Sequence, residues 1–188
     1  MRKIGITGSI ASGKTTASKI LSYKRGPLFS ADEVVKKLYK NNNFKKLLIR
    51  EFNLKKRTSL KKSLKNEIFK NKKNLKKLEK IVHPAVRNEM EKFFSLHKRK
   101  KKTFCEIPLL VESKLTKYFD IVIFIRAKKK MRLKRFVSRG GNKKLFTMLN
   151  NRQLSDQKKI KVCDHIVDNE KNLNILKKNL LGIIKLYA

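Results

Sequence analysis

The chain alternates between short apolar runs suited to buried strands and longer stretches whose apolar residues recur every three to four positions. "KIGIT" at 3–7 reads as a short strand. "TTASKILSY" directly after the next turn places Ala17, Ile20 and Leu21 on one helical face, and "RGP" at 25–27 stops that helix, with Gly26 as the residue past its end and Pro27 as a breaker. "LFSADEV" predicts a second strand ending at Asp32. The helix that follows has Val34, Val35, Leu38 and Tyr39 as its apolar side, with Ser30 or Asp32 placed to cap it. A Lys-rich helical region runs from about 44 to 98, with breaks near 53–59 and at His83-Pro84. One apolar stripe there is Leu75, Leu78, Ile81 and Val82, and another is Val86, Met90, Phe93 and Phe94.

Strand character returns in "TFCEIPLLVE" and "FDIVIFIRA", the second nearly continuous, as in a strand buried on both faces, and again in "HIVDN" at 165–169. From about 128 to 161 the chain is basic and mainly helical, and "SRGGNKK" offers a Gly pair as a hinge. A closing helix puts Leu173, Leu176, Leu180, Ile183 and Ile184 on one face. About five strands alternating with helices imply parallel crossovers, hence an α/β fold in a single domain.

At 188 residues and 40% hydrophobic composition the chain can bury one core of ordinary size. Its longest apolar runs are far shorter than a membrane span and no apolar signal segment opens it, so a cytoplasmic location without membrane association is expected. Cys105 and Cys163 sit in apolar, strand-like stretches without C-x-x-C spacing, which predicts buried free thiols. The charge is unusual: 51 basic against 14 acidic residues, a formal +37. Such an excess attracts polyanions at low salt. The lysines are spread over the whole length rather than gathered in one basic arm, which fits a compositional bias and nonspecific association better than a dedicated nucleic-acid site.

Between the first strand and the first helix lies "GSIASGKT", residues 8–15, which fits G-x-x-x-x-G-K-[ST] with Gly8, Gly13, Lys14 and Thr15 at the fixed positions. Gly13 has no Cβ, so the chain can turn there and aim its N–H groups inward as an anion nest. Lys14 adds a point charge that can reach the outer phosphates of a nucleotide. Thr15 adds a hydroxyl suited to Mg²⁺, and the helix that starts here adds its positive dipole end. A pattern of eight positions with four specified also arises by chance, but strand, loop and helix stand here in the order the mechanism requires.

With that loop, "SAD" at 30–32, "LEKIVHPAV" at 78–86, "IPLLVES" at 107–113 and "QLSDQKKIKVCDHIVDN" at 153–169 in order, the sequence resembles the dephospho-coenzyme A kinases nearly end to end. The resemblance implies the P-loop kinase fold, a five-stranded parallel sheet flanked by helices. Its core would be about 1–35, 103–127 and 162–188, with a helical substrate-binding region at 36–98 and a lid at 128–161. It implies an enzyme that uses ATP and Mg²⁺ to phosphorylate the ribose 3′-hydroxyl of dephospho-coenzyme A; a monomer with no specific nucleic-acid partner is expected. Carried onto this chain, the catalytic residues are Asp32 and Lys14. The nucleotide contacts are Gly8, Ala11, Ser12, Gly13, Lys14, Thr15, Thr16 and, from the lid, Arg139; Thr15 takes the metal.

Arg135 also matches a basic lid position, and Glu106 falls where the family often has aspartate, either to orient a Mg²⁺-bound water or as a buried structural acid. Glu112 contacts substrate or fixes its turn, and His83 matches a family turn as a structural histidine. The chain departs from the pattern at Ser9 and Ala11, where glycines are usual, at Ser30, where an aspartate is, and at Gly140, which replaces an acid after Arg139. Arg152 is the nearest candidate for a further lid arginine. Ser9 and Ala11 preserve the loop if their dihedrals stay negative. Two other readings remain at the level of sequence: a P-loop kinase acting on a nucleoside or nucleotide, and a basic nucleic-acid-binding protein with an ATP switch. The chain lacks the aromatic-interleaved basic motifs and zinc spacing expected of the latter.

Overall fold

The computed structural model describes residues 1–54 and 59–187. In chain order its elements are β1 (Arg2–Gly8), α1 (Lys14–Ser22), β2 (Leu28–Ser30), α2 (Ala31–Leu38), α3 (Asn42–Glu51), α4 (Leu60–Lys70), α5 (Lys72–Leu96), β3 (Lys102–Glu106), a 3₁₀ turn (Thr116–Tyr118), β4 (Ile121–Arg126), α6 (Lys129–Val137), α7 (Lys143–Asn151), α8 (Asp156–Ile160), β5 (His165–Asp168) and α9 (Leu173–Lys185). They fall into two compact units, one of Met1–Ser30 with the chain from Phe94 onward, the other Ala31–Phe93.

The first unit is a five-stranded sheet in the order β2-β3-β1-β4-β5, with every pairing parallel, as the alternation of strands and helices predicts. Ile121–Ile125 of β4 are all buried, which is why that strand reads as a continuous apolar run. Ile4, Ile6, Phe104, Ile123, Ile125 and Val167 form the sheet's side of the core, and Ala17 and Leu21 of α1 with Leu176, Leu180 and Ile184 of α9 form the helical side. Leu173, expected on that face, is exposed, because it is the first residue of α9, directly after its Asn172 cap. β3 stops at Glu106, short of its predicted length, since Pro108 has no N–H to continue the ladder. α1 ends at Ser22, before the predicted Gly26 stop. Gly26 is instead required by contact, because a Cβ there would overlap the carbonyl of Lys102. Cys105 is buried in β3, but Cys163 lies in the turn before β5 and is only half-buried, outside the predicted strand. Burial pushes both thiols up, that of Cys163 to about 11, so both are protonated at neutral pH.

The second unit is helical. Phe44, Leu48, Phe52, Leu54 and Leu64 make its core, with Leu38, Tyr39, Leu78, Ile81 and Val82 packed against them. The predicted break at His83-Pro84 does not occur: α5 runs through both residues. Pro84 is exposed, so the Lys80 carbonyl deprived of its helical partner can turn to water. His83 therefore lies inside a helix, half-buried, and not in a turn. The other predicted break falls largely on residues 55–58, outside the described residues. Among the described residues no helix is long and apolar enough to cross a membrane.

Candidate active site

β1 is the central strand, and the chain passes to β2 and β3 on one side of it and to β4 and β5 on the other. Where strand order reverses in an open α/β sheet, the crevice beyond the carboxyl ends of the strands is the natural ligand site. Residues 8–15 leave β1 at that point. Gly8 pairs with Ile125, and a Cβ on it would overlap the Ile125 carbonyl, so only glycine lets the loop rise this close to β4. Gly13, at φ 98°, is the N-cap of α1 and has no side chain to bond the first-turn amides. With no acidic residue in that turn either, its N–H groups and the positive dipole end are left to an anion.

Lys14 is buried and its Nζ donates to the Ser9 carbonyl at 3.1 Å, so the ammonium is held over the loop. Thr15 Oγ1 donates to Glu106 Oε1 at 2.6 Å, and Ser18 Oγ to Glu106 Oε2 at 3.2 Å. Glu106 is 4% exposed and ends β3, beside β1, so its carboxylate meets the hydroxyls that α1 carries at Thr15 and Ser18. Thr15 and Glu106 are hard oxygen donors suited to Mg²⁺, which takes few protein ligands and completes its octahedron with phosphates and water. Among the described residues no group of three or more His, Cys, Asp or Glu could hold a metal by itself. Ser12 Oγ is buried without a hydrogen-bond partner among the described residues, an orphaned donor in this loop.

The stretch 153–169 is packed onto this loop. Gln153 Oε1 accepts from the Ile10 N–H at 2.8 Å, Asp156 accepts from the Ser9 hydroxyl, and Asn169 Nδ2 donates to the Ser12 carbonyl at 2.8 Å. A Cβ on Gly13 would overlap that same Asn169 amide.

A family model described as dephospho-CoA kinase matches residues 2–174 of the chain. The chain belongs to the dephospho-CoA kinase family. A dephospho-CoA kinase from Bartonella henselae is 35% identical over 98% of this chain and 97% of its own length, and one from Fusobacterium nucleatum is 34% identical over 94% of each. Among solved structures, a dephospho-CoA kinase from Campylobacter jejuni is 27% identical with a TM-score of 0.71, covering 100% of this chain and 98% of its own. A shikimate kinase from Bacteroides thetaiotaomicron, 11% identical with a TM-score of 0.60 over 99% and 98% of the two chains, shares the fold alone.

Within this family member, the basic positions singled out in 128–161 fare differently. Arg135 reaches the loop: its Nη2 donates to the Asn169 carbonyl at 2.8 Å and its Nη1 to that of Ser12 at 3.5 Å. Arg139 and Arg152 are exposed, the one in the turn after α6 and the other closing α7. The residue that sequence reasoning missed is Arg132, buried, with its guanidinium on the carbonyls of Ala127 (3.0 Å) and Ile10 (3.4 Å) and on Asn150 Oδ1 (2.8 Å). Burial lowers its pKa and the Asp156 carboxylate, 3.9 Å away, opposes that. No sequence signal separates Arg132 from its basic neighbours, because α6 presents cations all round. The Glu112 carboxylate lies 2.7 Å from the ammonium of Lys159, fully buried on α8, and accepts the Leu154 N–H at 3.1 Å. These contacts tie it to residues 154–159 and not to its own turn.

Two expectations about the loop and Asp32 are corrected. Ala11 has φ 57°, not the negative value assumed, so the position does require the left-handed region; Ser9 stays outside it. Asp32 does not end β2, which stops at Ser30; it is exposed in the first turn of α2, with Glu33 beside it, in the helical unit. Thr16 is exposed in the first turn of α1.

Proposed function

We propose that the protein transfers the γ-phosphoryl group of Mg²⁺·ATP to the ribose 3′-hydroxyl of dephospho-coenzyme A. The observation that carries the nucleotide half is the Gly8–Thr15 loop, open at the amino end of α1, with Lys14 and the Thr15–Glu106 pair against it. Membership of the dephospho-CoA kinase family carries the acceptor.

In this reading the amides of the loop and of the first turn of α1 bind the phosphate oxygens. Lys14 leaves the Ser9 carbonyl for the β- and γ-phosphates, where a fixed cation meets the charge that grows in transfer. Thr15 and Glu106 would hold Mg²⁺, which would supply positive charge against the phosphate oxygens. Asp32, at the family's catalytic aspartate position, takes the proton of the 3′-hydroxyl as its oxygen forms a bond to γ-phosphorus. The bond from γ-phosphorus to the bridging oxygen breaks, and ADP leaves. Arg135 and Arg139 belong to the lid in this reading, and only a guanidinium brought onto the phosphates would grip them with paired donors.

ADP release measured with each acceptor supplied separately tests the assignment. Release is expected with dephospho-coenzyme A and not with thymidine or nucleoside monophosphates. Transfer to the nucleotides alone would overturn it.

A further inference from the structure

We infer that Asn169, with Arg135 and Arg132, positions the phosphate-binding loop by fixing the planes of two of its peptide units. The inference rests on the reading that this loop holds a triphosphate and says what keeps it in shape. In a planar trans peptide the C=O and the following N–H point in opposite directions. Whatever draws the carbonyl to one side therefore aims the amide to the other.

Two units of the loop are held in this way from outside. The Ser12 carbonyl accepts from Asn169 Nδ2 at 2.8 Å and from Arg135 Nη1 at 3.5 Å, which turns the Gly13 N–H away from that wall. The Ile10 carbonyl accepts from Arg132 Nη1 at 3.4 Å, which turns the Ala11 N–H likewise. Both residues that follow these carbonyls have positive φ, 57° at Ala11 and 98° at Gly13, so neither peptide unit is in the orientation that ordinary residues prefer. Released from the donors, each unit can rotate and present a carbonyl oxygen where an anion needs an amide. The affinity for phosphate then falls with the fraction of loops still correctly oriented.

The donors are themselves anchored. The Asn169 N–H donates at 2.8 Å to the carbonyl of Arg126, the last residue of β4, and its own carbonyl receives Arg135 Nη2. Arg132 is 5% exposed and tied at both ends of its guanidinium. Gln153 and Asn169, the two ends of the stretch 153–169, both bond the backbone of the same loop.

The test is displacement of a fluorescent ATP analogue from wild type, Asn169→Ala and Asn169→Ser by ATP and by inorganic tripolyphosphate, without acceptor. It is paired with KM for each substrate well below the melting temperature. In Asn169→Ala, affinity for ATP and for tripolyphosphate should fall by the same factor, about tenfold, the scale of one lost neutral hydrogen bond. KM for ATP should rise while KM for dephospho-coenzyme A holds. Asn169→Ser keeps a hydroxyl but not the reach, and shows the same loss if the alanine variant does not fold. Weaker ATP binding with unchanged tripolyphosphate binding would mean that Asn169 contacts the nucleoside, and would overturn the inference. So would unchanged affinity for both, or a rise of both KM values together. A wild-type protein that binds neither ligand would instead remove the proposed function.

Discussion

Ala11 sits at φ 57°, where a Cβ crowds the following carbonyl at a cost of about 1–2 kcal/mol. Glycine removes that strain but adds about 0.5–1 kcal/mol of unfolded-chain entropy. Ala11→Gly is therefore expected to stabilise the protein by a net of about 0.5–1 kcal/mol, read as a rise of about 2 °C in Tm by calorimetry. A fall in Tm would mean that the loop relaxes around alanine at no cost. Asp32 carries the proposed proton transfer, so Asp32→Asn should lower kcat by about 10²–10⁴-fold and leave KM for ATP near the wild-type value, in steady-state assays with dephospho-coenzyme A. The motif residues were legible singly because each has its own chemical requirement: two glycines for space, one lysine for charge, one threonine hydroxyl. Arg132 was not, because its importance lies in burial, and nothing in "KKKMRLKR" says which cation is turned inward.

Among elements, α8 shows how a five-residue helix is kept in place. Lys159 has no exposure at all and its ammonium is 2.7 Å from Glu112, in the turn after β3. Removing one partner leaves the other buried and unpaired, which costs about 3–5 kcal/mol. Lys159→Met should therefore lower Tm by about 10 °C, and Glu112→Gln combined with Lys159→Met should recover much of the loss in a double-mutant cycle. Because Asp156 and Gln153 reach the loop from this same segment, the single variant should also weaken ATP binding. The elements were readable from period and punctuation where those agreed, as in β4 and α9. They misled at Pro84, where proline within a helix is tolerated because its side faces solvent, and after Pro108, where apolar composition continues but the ladder cannot.

For the whole molecule, the order β2-β3-β1-β4-β5 matters more than any single contact, since it brings Gly8–Thr15 to the place where the strand order turns. Strand count and parallel pairing follow from the alternation of apolar runs with helical stretches, whereas the pairing of distant strands leaves no local mark in the sequence. The net charge of +37 belongs to this scale as well. With lysines spread along both units, it should bind DNA or RNA without sequence preference at low salt, and that binding should vanish near physiological salt in a fluorescence-anisotropy titration. Selective binding that persists there would mark a second, dedicated site. The central claim is phosphoryl transfer from this loop, and its most direct measurement is mass-spectrometric quantification of coenzyme A formed from dephospho-coenzyme A and Mg²⁺·ATP by wild type and Lys14→Ala. The account predicts coenzyme A with wild type and a rate about 10²–10³-fold lower with the variant; no product from the wild type, or equal rates from the two, would contradict it.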